Sequence, residues 1–335
     1  MSTSWVAFHL TDRCPLSCLH CLRDPGPKPL DLPVEVIERV LDQAVAVYRI
    51  DHVALTGGEP VTHPELERVV AAIVSRGLQY HLVTSGVGFS RLLAIVDGDE
   101  AAKRALTRVN VSVDGATEAS NDAIRGAGSY RHAMKAVVAC QARGIELAMQ
   151  LTVNAVNVAE IEQAALSFAE LGAKRILFGM TQPTGTHADA RMALPARVWH
   201  GVRERIERLS GILSVPVVAA EGFPRTSPFH TCAPFGGEIL HVDTRGRLTL
   251  CCQHSGIPGE TDELAVDLST ASLAEGHRRL LDVVHAYQRE RLVAAEAGTM
   301  GEWDLFPCNS CLKRFGKPHW TTEGASGPQA RRAAP

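Results

Sequence analysis

The chain has 335 residues, of which 45% are hydrophobic, and its formal net charge is −3. A nearly balanced charge gives no electrostatic footprint for nucleic acid or for an anionic membrane surface, so we expect neither as a partner. The sequence contains no run of about 18 apolar residues and no N-terminal signal peptide, which predicts a cytoplasmic protein. In a reducing cytosol its nine cysteines are predicted to be free thiols or metal ligands rather than disulfides.

Short apolar runs alternate with amphipathic segments in the first half of the chain. We predict six strands there: Trp5 to Leu10, His52 to Leu55, Tyr80 to Val83, Val109 to Val113, Leu147 to Val153 and Arg175 to Gly179. The helices predicted between them include Val34 to Val47, Glu65 to Ser75, Arg131 to Arg143 and Ala159 to Leu171. This α/β alternation predicts parallel strands with right-handed helical crossovers, and therefore an open or closed barrel. Ligands of such sheets gather at the carboxyl ends of the strands.

The second half of the chain has a different pattern. A helix is predicted from Ala196 to Leu209, and a short apolar segment from Val215 to Ala219. A β-hairpin follows, with Glu238 to Val242 and Arg247 to Leu250 on either side of the turn Asp243 to Gly246. We therefore predict a barrel core (1–182), a connecting helix and strand (183–227), a smaller α+β module (228–317) and a disordered tail (318–335).

Three cysteines directly follow the first predicted strand. Cys14, Cys18 and Cys21 have the spacing C-x3-C-x2-C. Three thiolates can hold three irons of a 4Fe–4S cube and leave the fourth iron without a protein ligand. An iron of this kind is open to a substrate or a cofactor, so the triplet indicates chemistry rather than a purely structural site.

These cysteines, together with Thr56-Gly-Gly-Glu-Pro60 after the second strand, closely resemble the radical S-adenosylmethionine (SAM) superfamily over about residues 5–182. The resemblance implies a partial (β/α)6 barrel and an open iron that is chelated by the amino and carboxylate groups of SAM. It also implies that a flavodoxin-type or ferredoxin-type donor supplies the electron that cleaves SAM. The 5′-deoxyadenosyl radical released in this way removes a hydrogen atom from an unactivated carbon of the substrate.

The resemblance also implies contacts with SAM. The segment Gly57, Gly58, Glu59 and Pro60 would receive the methionyl amino group; its alternative role is a helix-entry turn. Ser112 and Asp114 look like the segment that meets the ribose or the carboxylate of SAM in relatives. Thr84-Ser85-Gly86 falls where relatives often have Thr-Asn-Gly, and Ser85 is therefore a departure from the family pattern.

Three further residues match less specific family positions. Arg125 would pair with the SAM carboxylate, with a surface salt bridge as the alternative. His20 stands where relatives usually carry an aromatic residue of the adenine pocket, and imidazole is also a planar ring that can stack. Met180 ends the sixth strand, where relatives contact adenine, although core packing is equally consistent with a methionine there.

A second set of cysteines lies in the second half. Cys232, Gly246 and Cys251 have the spacing C-x13-G-x4-C, and Cys308-x2-Cys311 follows. This pattern is similar to the auxiliary-cluster domains called SPASM and twitch, and the shorter twitch form fits because no cysteine follows Cys311. The resemblance implies one fully ligated auxiliary 4Fe–4S cluster; a structural zinc site is the alternative.

Two cysteines fall outside these sets. Cys252 adjoins Cys251, so it is a candidate to replace that ligand or to give a hydrogen atom to a substrate radical; its alternative role is that of a small buried hydrophobe. Cys140 lies on the predicted helix Arg131 to Arg143 and is expected to pack in the core.

The sequence thus predicts a radical SAM enzyme of oxidoreductase or epimerase type that tailors a natural product. The first strand starts within about ten residues of the N-terminus, which favours a small-molecule substrate because little room remains for a peptide-recognition domain. A peptide maturase of the same superfamily and a non-catalytic zinc-binding or cysteine-binding protein on a degenerate scaffold are the alternatives. Candidate polar contacts near the second module are His187, His230, His241 and His254.

Overall fold

The structure, a computed structural model, describes residues 5–22, 28–182, 190–229, 232–255 and 262–315. His187, His230 and the tail 318–335 lie outside these ranges, so the predictions made for them stay predictions. No helix in the described ranges is long and apolar enough to cross a membrane.

In the described ranges the strands form one sheet of ten, in the order β10-β9-β8-β1-β2-β3-β4-β5-β6-β7. The strands are β1 Trp5–His9, β2 His52–Thr56, β3 Gln79–Thr84, β4 Leu106–Ser112, β5 Leu147–Val153, β6 Arg175–Met180, β7 Val217–Ala219, β8 Ile239–Val242, β9 Arg247–Thr249 and β10 Ala265–Asp267. From β8 through β1 to β7 all neighbours are parallel, whereas β9 pairs antiparallel with β8 and β10. This confirms the six predicted βα units of a partial barrel and the hairpin of the second module.

Helices connect and cover these strands. They are α1 Val34–Tyr48, α2 Leu66–Val74, α3 Ser90–Gly98, α4 Glu100–Ala105, α5 Glu118–Arg125, α6 Ser129–Gln141, α7 Ile161–Glu170, α8 Ala196–Ile212, α9 Leu273–Glu296 and α10 Pro307–Arg314. Every predicted helix is present, and no end is shifted by more than three residues. The pattern did not predict α3, α4, α5, α9 or α10.

The barrel strands bury one face against the helices. On β1, Val6 and Phe8 are fully buried in the main hydrophobic core, as are Val53 and Leu55 on β2. Because side chains alternate along a strand, the intervening residues occupy the opposite face of the sheet. On β1 this opposite face carries His9, whose Nδ1 lies 2.8 Å from Ser255 Oγ.

The hairpin of the second module is continuous with the barrel sheet. β8 pairs with β1 in parallel, with Trp5 opposite Ile239 and Phe8 opposite Val242. The turn after β8 ends at Gly246, whose φ of 73° lies in the left-handed region that glycine adopts without strain. Because β9 runs antiparallel to β8, Cys251, which follows β9, lies toward the amino ends of β8 and β1.

Candidate functional site

The loop after β1 and the turn after β2 are joined by backbone hydrogen bonds. The amide of Gly58 donates to the carbonyl of Thr11 over 2.7 Å, and the amide of Glu59 donates to the carbonyl of Arg13 over 2.8 Å. Cys14 follows directly on this paired segment. The structure therefore brings the first predicted cysteine and the glycine turn together, as expected for two loops at the carboxyl ends of adjacent parallel strands.

Both glycines of this turn are required by close packing. A Cβ at Gly58 would lie 2.3 Å from the carbonyl oxygen of Arg13, and one at Gly57 would lie 2.7 Å from that of Thr11. Gly57 also has a φ of 139°. Any larger residue would push the turn away from the cysteine loop.

The side chain of Glu59 links the ends of β2 and β3. Its Oε1 accepts from Thr84 Oγ1 over 2.8 Å, and its Oε2 accepts from the amide and the hydroxyl of Ser85 over 2.8 and 2.6 Å. Burial raises the pKa of this fully enclosed carboxyl, and these hydrogen bonds oppose the shift. Ser85, a departure from the family pattern, is thus a direct partner of Glu59.

Asp114 lies beyond the end of β4 and is fully buried. Its Oδ2 is 2.5 Å from His20 Nε2 and 2.5 Å from Arg125 Nε, and its Oδ1 accepts from the amide of Thr152 over 2.7 Å. Burial alone would raise the pKa of Asp114, but the Arg125 guanidinium and His20 hold it below its usual value. The carboxylate therefore joins β4, β5, α5 and the cysteine loop.

Arg125 is a buried charge rather than a surface one, since only 8% of it is exposed. The alternative of a surface salt bridge is therefore wrong. Its position next to the cysteine loop is fixed by the backbone as well, because the amide of Leu19 donates to the carbonyl of Ile124 over 3.0 Å. Burial raises the pKa of the Cys18 thiol to about 12, and the nearby Arg125 charge opposes that shift.

Two other predicted SAM contacts lie at strand ends. Ser112, the last residue of β4, is buried and accepts a hydrogen bond from Gln150 Nε2 over 2.7 Å. Met180, the last residue of β6, is half-buried and packs against the edge of the main core. Cys140 is fully buried in that core, which confirms its predicted packing role.

Five cysteines form a second cluster: Cys232, Cys251, Cys252, Cys308 and Cys311. Cys251 follows β9, and Cys308 and Cys311 lie one helical turn apart on α10. A hydrogen bond with Cys252, burial and the neighbouring Cys311 and Cys308 together raise the pKa of Cys251. Burial also raises the pKa of Cys232 to about 11. The structure thus brings together the four cysteines predicted as ligands, and it adds Cys252 to them.

The donor atoms at both sites suit iron–sulfur clusters. The first site offers three thiols and the second offers five, and thiolate sulfur is the ligand of 4Fe–4S clusters. In the described ranges no three His, Cys, Asp or Glu side chains form a group that would hold a single metal ion. In a 4Fe–4S cube each thiolate binds a different iron, so its ligands need not converge on one point.

Two of the candidate histidines are described by the structure. His254 is fully buried and its Nε2 lies 3.4 Å from Cys311 Sγ. His241 is buried on β8, with its ring centre 6.2 Å from that of His9. His254 therefore belongs to the surroundings of the second cysteine cluster.

Gln182 is a residue near the second cysteine cluster that the sequence did not single out. It is 3% exposed, and its Oε1 has no hydrogen-bond partner in the described ranges. A Cβ placed on Gly222 would lie 2.8 Å from Gln182 Nε2, 3.5 Å from Met180 Cβ and 3.6 Å from Cys308 Sγ. The second cysteine cluster therefore adjoins the carboxyl end of β6. The only sequence signal for Gln182 is its position two residues after that strand.

The fold is a parallel partial barrel in which a three-cysteine loop follows the first strand and is held against a glycine turn that follows the second strand. This arrangement defines the iron–sulfur enzymes that use SAM. Residues 8–167 match the family model described as the Radical SAM superfamily. The chain belongs to this superfamily, whose members use a 4Fe–4S cluster and SAM.

A PqqA peptide cyclase from Methylorubrum populi is 30% identical over 327 residues, which cover 91% of this chain and 76% of the relative. PqqA peptide cyclases are radical SAM enzymes of the SPASM type, and homologues of this type carry auxiliary clusters.

Two solved structures are similar in fold. Streptococcus suis SuiB bound to S-adenosylmethionine superposes with a TM-score of 0.64 at 12% identity, covering 82% of this chain. The chain spans 65% of the length of SuiB, which has also been solved bound to its precursor peptide SuiA. The protein anSMEcpe with bound AdoMet superposes with a TM-score of 0.62 at 14% identity, covering 82% of this chain and 80% of that one.

Proposed function

We propose that this radical SAM enzyme modifies a peptide and that Cys14, Cys18 and Cys21 hold its SAM-binding cluster. The observation that supports the ligand set is the backbone pairing of the cysteine loop with the glycine turn, Gly58 to Thr11 and Glu59 to Arg13. The cluster and SAM, when bound there, supply the 5′-deoxyadenosyl radical that removes a hydrogen atom from the substrate.

The surrounding residues then bind and orient SAM. The backbone of Gly57 to Pro60 receives the methionyl amino group, while the Glu59 side chain fixes the turn through Thr84 and Ser85. Ser112 and Met180 meet the ribose and the adenine from the ends of β4 and β6.

Asp114 acts through its neighbours, because both of its carboxylate oxygens have protein partners. It orients the Arg125 guanidinium toward the SAM carboxylate and fixes His20 at the border of the adenine pocket.

At the second site we propose that Cys232, Cys251, Cys308 and Cys311 hold an auxiliary 4Fe–4S cluster. Its place beside the end of β6 suits a group that takes an electron from a substrate radical and so supports oxidation. In the epimerase alternative, Cys252 instead returns a hydrogen atom to the radical. Cys252 is partly buried and hydrogen-bonded to Cys251, a position compatible with either role.

A peptide substrate is favoured by the relatives. The curated relative is named for cyclising the peptide PqqA, and SuiB has been solved with a precursor peptide. We therefore prefer a peptide over the small molecule that the short N-terminal segment favoured. A flavodoxin or ferredoxin in the cytoplasm would supply the electron for SAM cleavage.

The first test is anaerobic reconstitution with analysis of iron, sulfide and 5′-deoxyadenosine. We expect about eight irons per chain, as two 4Fe–4S clusters require, and SAM cleavage when the protein is reduced. The combined variant Cys14→Ala, Cys18→Ala and Cys21→Ala should retain about four irons and release no 5′-deoxyadenosine. A colourless protein with zinc at the second site would instead support the non-catalytic alternative.

A second prediction separates the two adjacent cysteines. Cys251→Ala should lower the iron content by about four per chain, whereas Cys252→Ala should leave it unchanged, because only Cys251 is a proposed ligand. Both substitutions remove one thiol from the same turn, so each is the matched control for the other. If iron is lost only from Cys252→Ala, the ligand assignment must move to Cys252.

A further inference from the structure

Cys311 has surroundings that distinguish it from the other cysteines of the second site. With 7% of its surface exposed, it is the least exposed of the five. Its sulfur lies in a small hydrophobic cluster formed by Phe235, Leu250, Leu264, Val284, Tyr287 and Phe315. Electrostatic interactions with a ligand sulfur are strong in such a low-dielectric region, since water does not screen them.

His254 is the polar side chain that reaches Cys311 in this region. Its Nε2 lies 3.4 Å from Cys311 Sγ. The ring is held edge-on against Phe315, with centroids 5.7 Å apart and planes at 89°. Its backbone is held by the turn that carries Cys251, because the amide of His254 donates to the Cys251 carbonyl over 3.0 Å. The imidazole is therefore fixed at both its ring and its backbone.

An iron-bound thiolate carries no hydrogen, so this contact is a hydrogen bond only when Nε2 is the donor. We propose that His254 donates a hydrogen bond from Nε2 to the Cys311 thiolate and thereby raises the reduction potential of the auxiliary cluster. This inference rests on the proposed role of Cys311 as a ligand. Reduction adds negative charge to the cluster and its sulfurs, and a fixed N–H dipole stabilises that charge.

A buried cation lies behind the same helix. Arg291 is 7% exposed and donates to the carbonyls of Pro228 and Asp304 over 2.8 and 2.7 Å. It also donates to the hydroxyl of Ser310, the residue before Cys311. The Ser310 hydroxyl also donates to the Asp304 carboxylate over 3.3 Å, and this carboxylate offsets part of the Arg291 charge. The remaining positive charge favours the reduced state of the cluster, in the same direction as His254 does.

The reduction potential of the auxiliary cluster affects which reaction this cluster supports. A higher reduction potential makes the cluster a better electron acceptor. His254 therefore favours the oxidative outcome of the proposed function over redox-neutral epimerisation.

The test is an EPR-monitored redox titration of His254 variants. It is performed in the Cys14→Ala, Cys18→Ala, Cys21→Ala background, so that the auxiliary cluster is the only one present. His254→Phe keeps a planar ring but removes the donor, and should lower the midpoint potential. His254→Gln retains an N–H at the position of Nε2 and should restore part of the shift. His277→Phe is the control, because His277 Nδ1 pairs with Tyr48 OH over 2.9 Å. This variant should leave the midpoint potential of the auxiliary cluster unchanged.

A second measurement needs no substitution at the cluster. In protein with ¹⁵N-labelled histidine, pulsed EPR of the reduced cluster should show a ¹⁵N coupling from His254. The absence of that coupling in the unsubstituted protein, or equal potentials for His254→Phe and His277→Phe, would overturn the inference. If Cys311→Ala retains the auxiliary cluster in full, the assignment of Cys311 as a ligand is wrong. This outcome is distinct from the results that would overturn the role of His254.

Discussion

Replacing Asp114 with alanine is expected to cost about 3–5 kcal/mol of folding free energy, because it leaves the buried Arg125 guanidinium without its counter-charge. The Asp114 side chain is wholly enclosed and that of Arg125 is 10% exposed, so water cannot take over the role of the carboxylate. Urea unfolding followed by circular dichroism, with every variant compared in the same cofactor state, measures the loss.

An exposed ion pair provides the matched control. Asp97 pairs with Arg143 over 2.8 Å, but the side chains are 47% and 29% exposed. Asp97→Ala should change the unfolding curve little, since exposed pairs contribute little to stability. Asp114→Asn is a second variant, which keeps the shape of the side chain and removes its charge. Equal unfolding midpoints for the Asp114 and Asp97 variants would contradict the buried role of Asp114.

The same substitution should also affect the SAM-binding cluster. Asp114 fixes His20, which stands between Cys18 and Cys21 in the sequence, and Arg125, whose helix is bonded to Leu19. Without this carboxylate the cysteine loop loses a buried anchor. We expect the Asp114 variants to lose iron from the first site while the auxiliary cluster is retained.

The strands and the cysteine loops could be predicted because local pattern decides them. Short apolar runs identified the six barrel strands, and cysteine spacing identified both groups of cysteines. Helix α5 has only Asn121, Ile124 and Arg125 buried, so it offers almost no apolar stripe to detect. Helix α9 does carry a signal, a capping box between Ser272 and Glu275, but most of its residues are polar or exposed.

The contacts that build the site could not be predicted in the same way, because they depend on tertiary packing. His20 and Asp114 are separated by 94 positions, and no local pattern connects them. Likewise, the hairpin was predicted from its turn, yet its pairing with β1 joins Trp5 to Ile239 across most of the chain. His254 is a third case, since its contact with Cys311 spans 57 positions.

Gly58→Ala is expected to reduce 5′-deoxyadenosine formation by about 100-fold, because a displacement of about 1 Å at a reacting site has an effect of this size. The added methyl group would lie 2.3 Å from the Arg13 carbonyl oxygen, whereas ordinary contact begins at 3.4 Å. The methyl group meets backbone rather than a flexible side chain, so the turn and the cysteine loop must separate.

Gly98→Ala is the matched control, since a Cβ at the last residue of α3 meets nothing within 4 Å. Neither glycine has a φ in the left-handed region, so the two variants differ in close packing and not in backbone strain. Gly98→Ala should retain full SAM cleavage. Iron analysis then separates a lost cluster from misplaced SAM in the Gly58 variant. If Gly58→Ala cleaves SAM as fast as Gly98→Ala, the paired loops do not control SAM placement, and the ligand set proposed at the first site loses its main structural support.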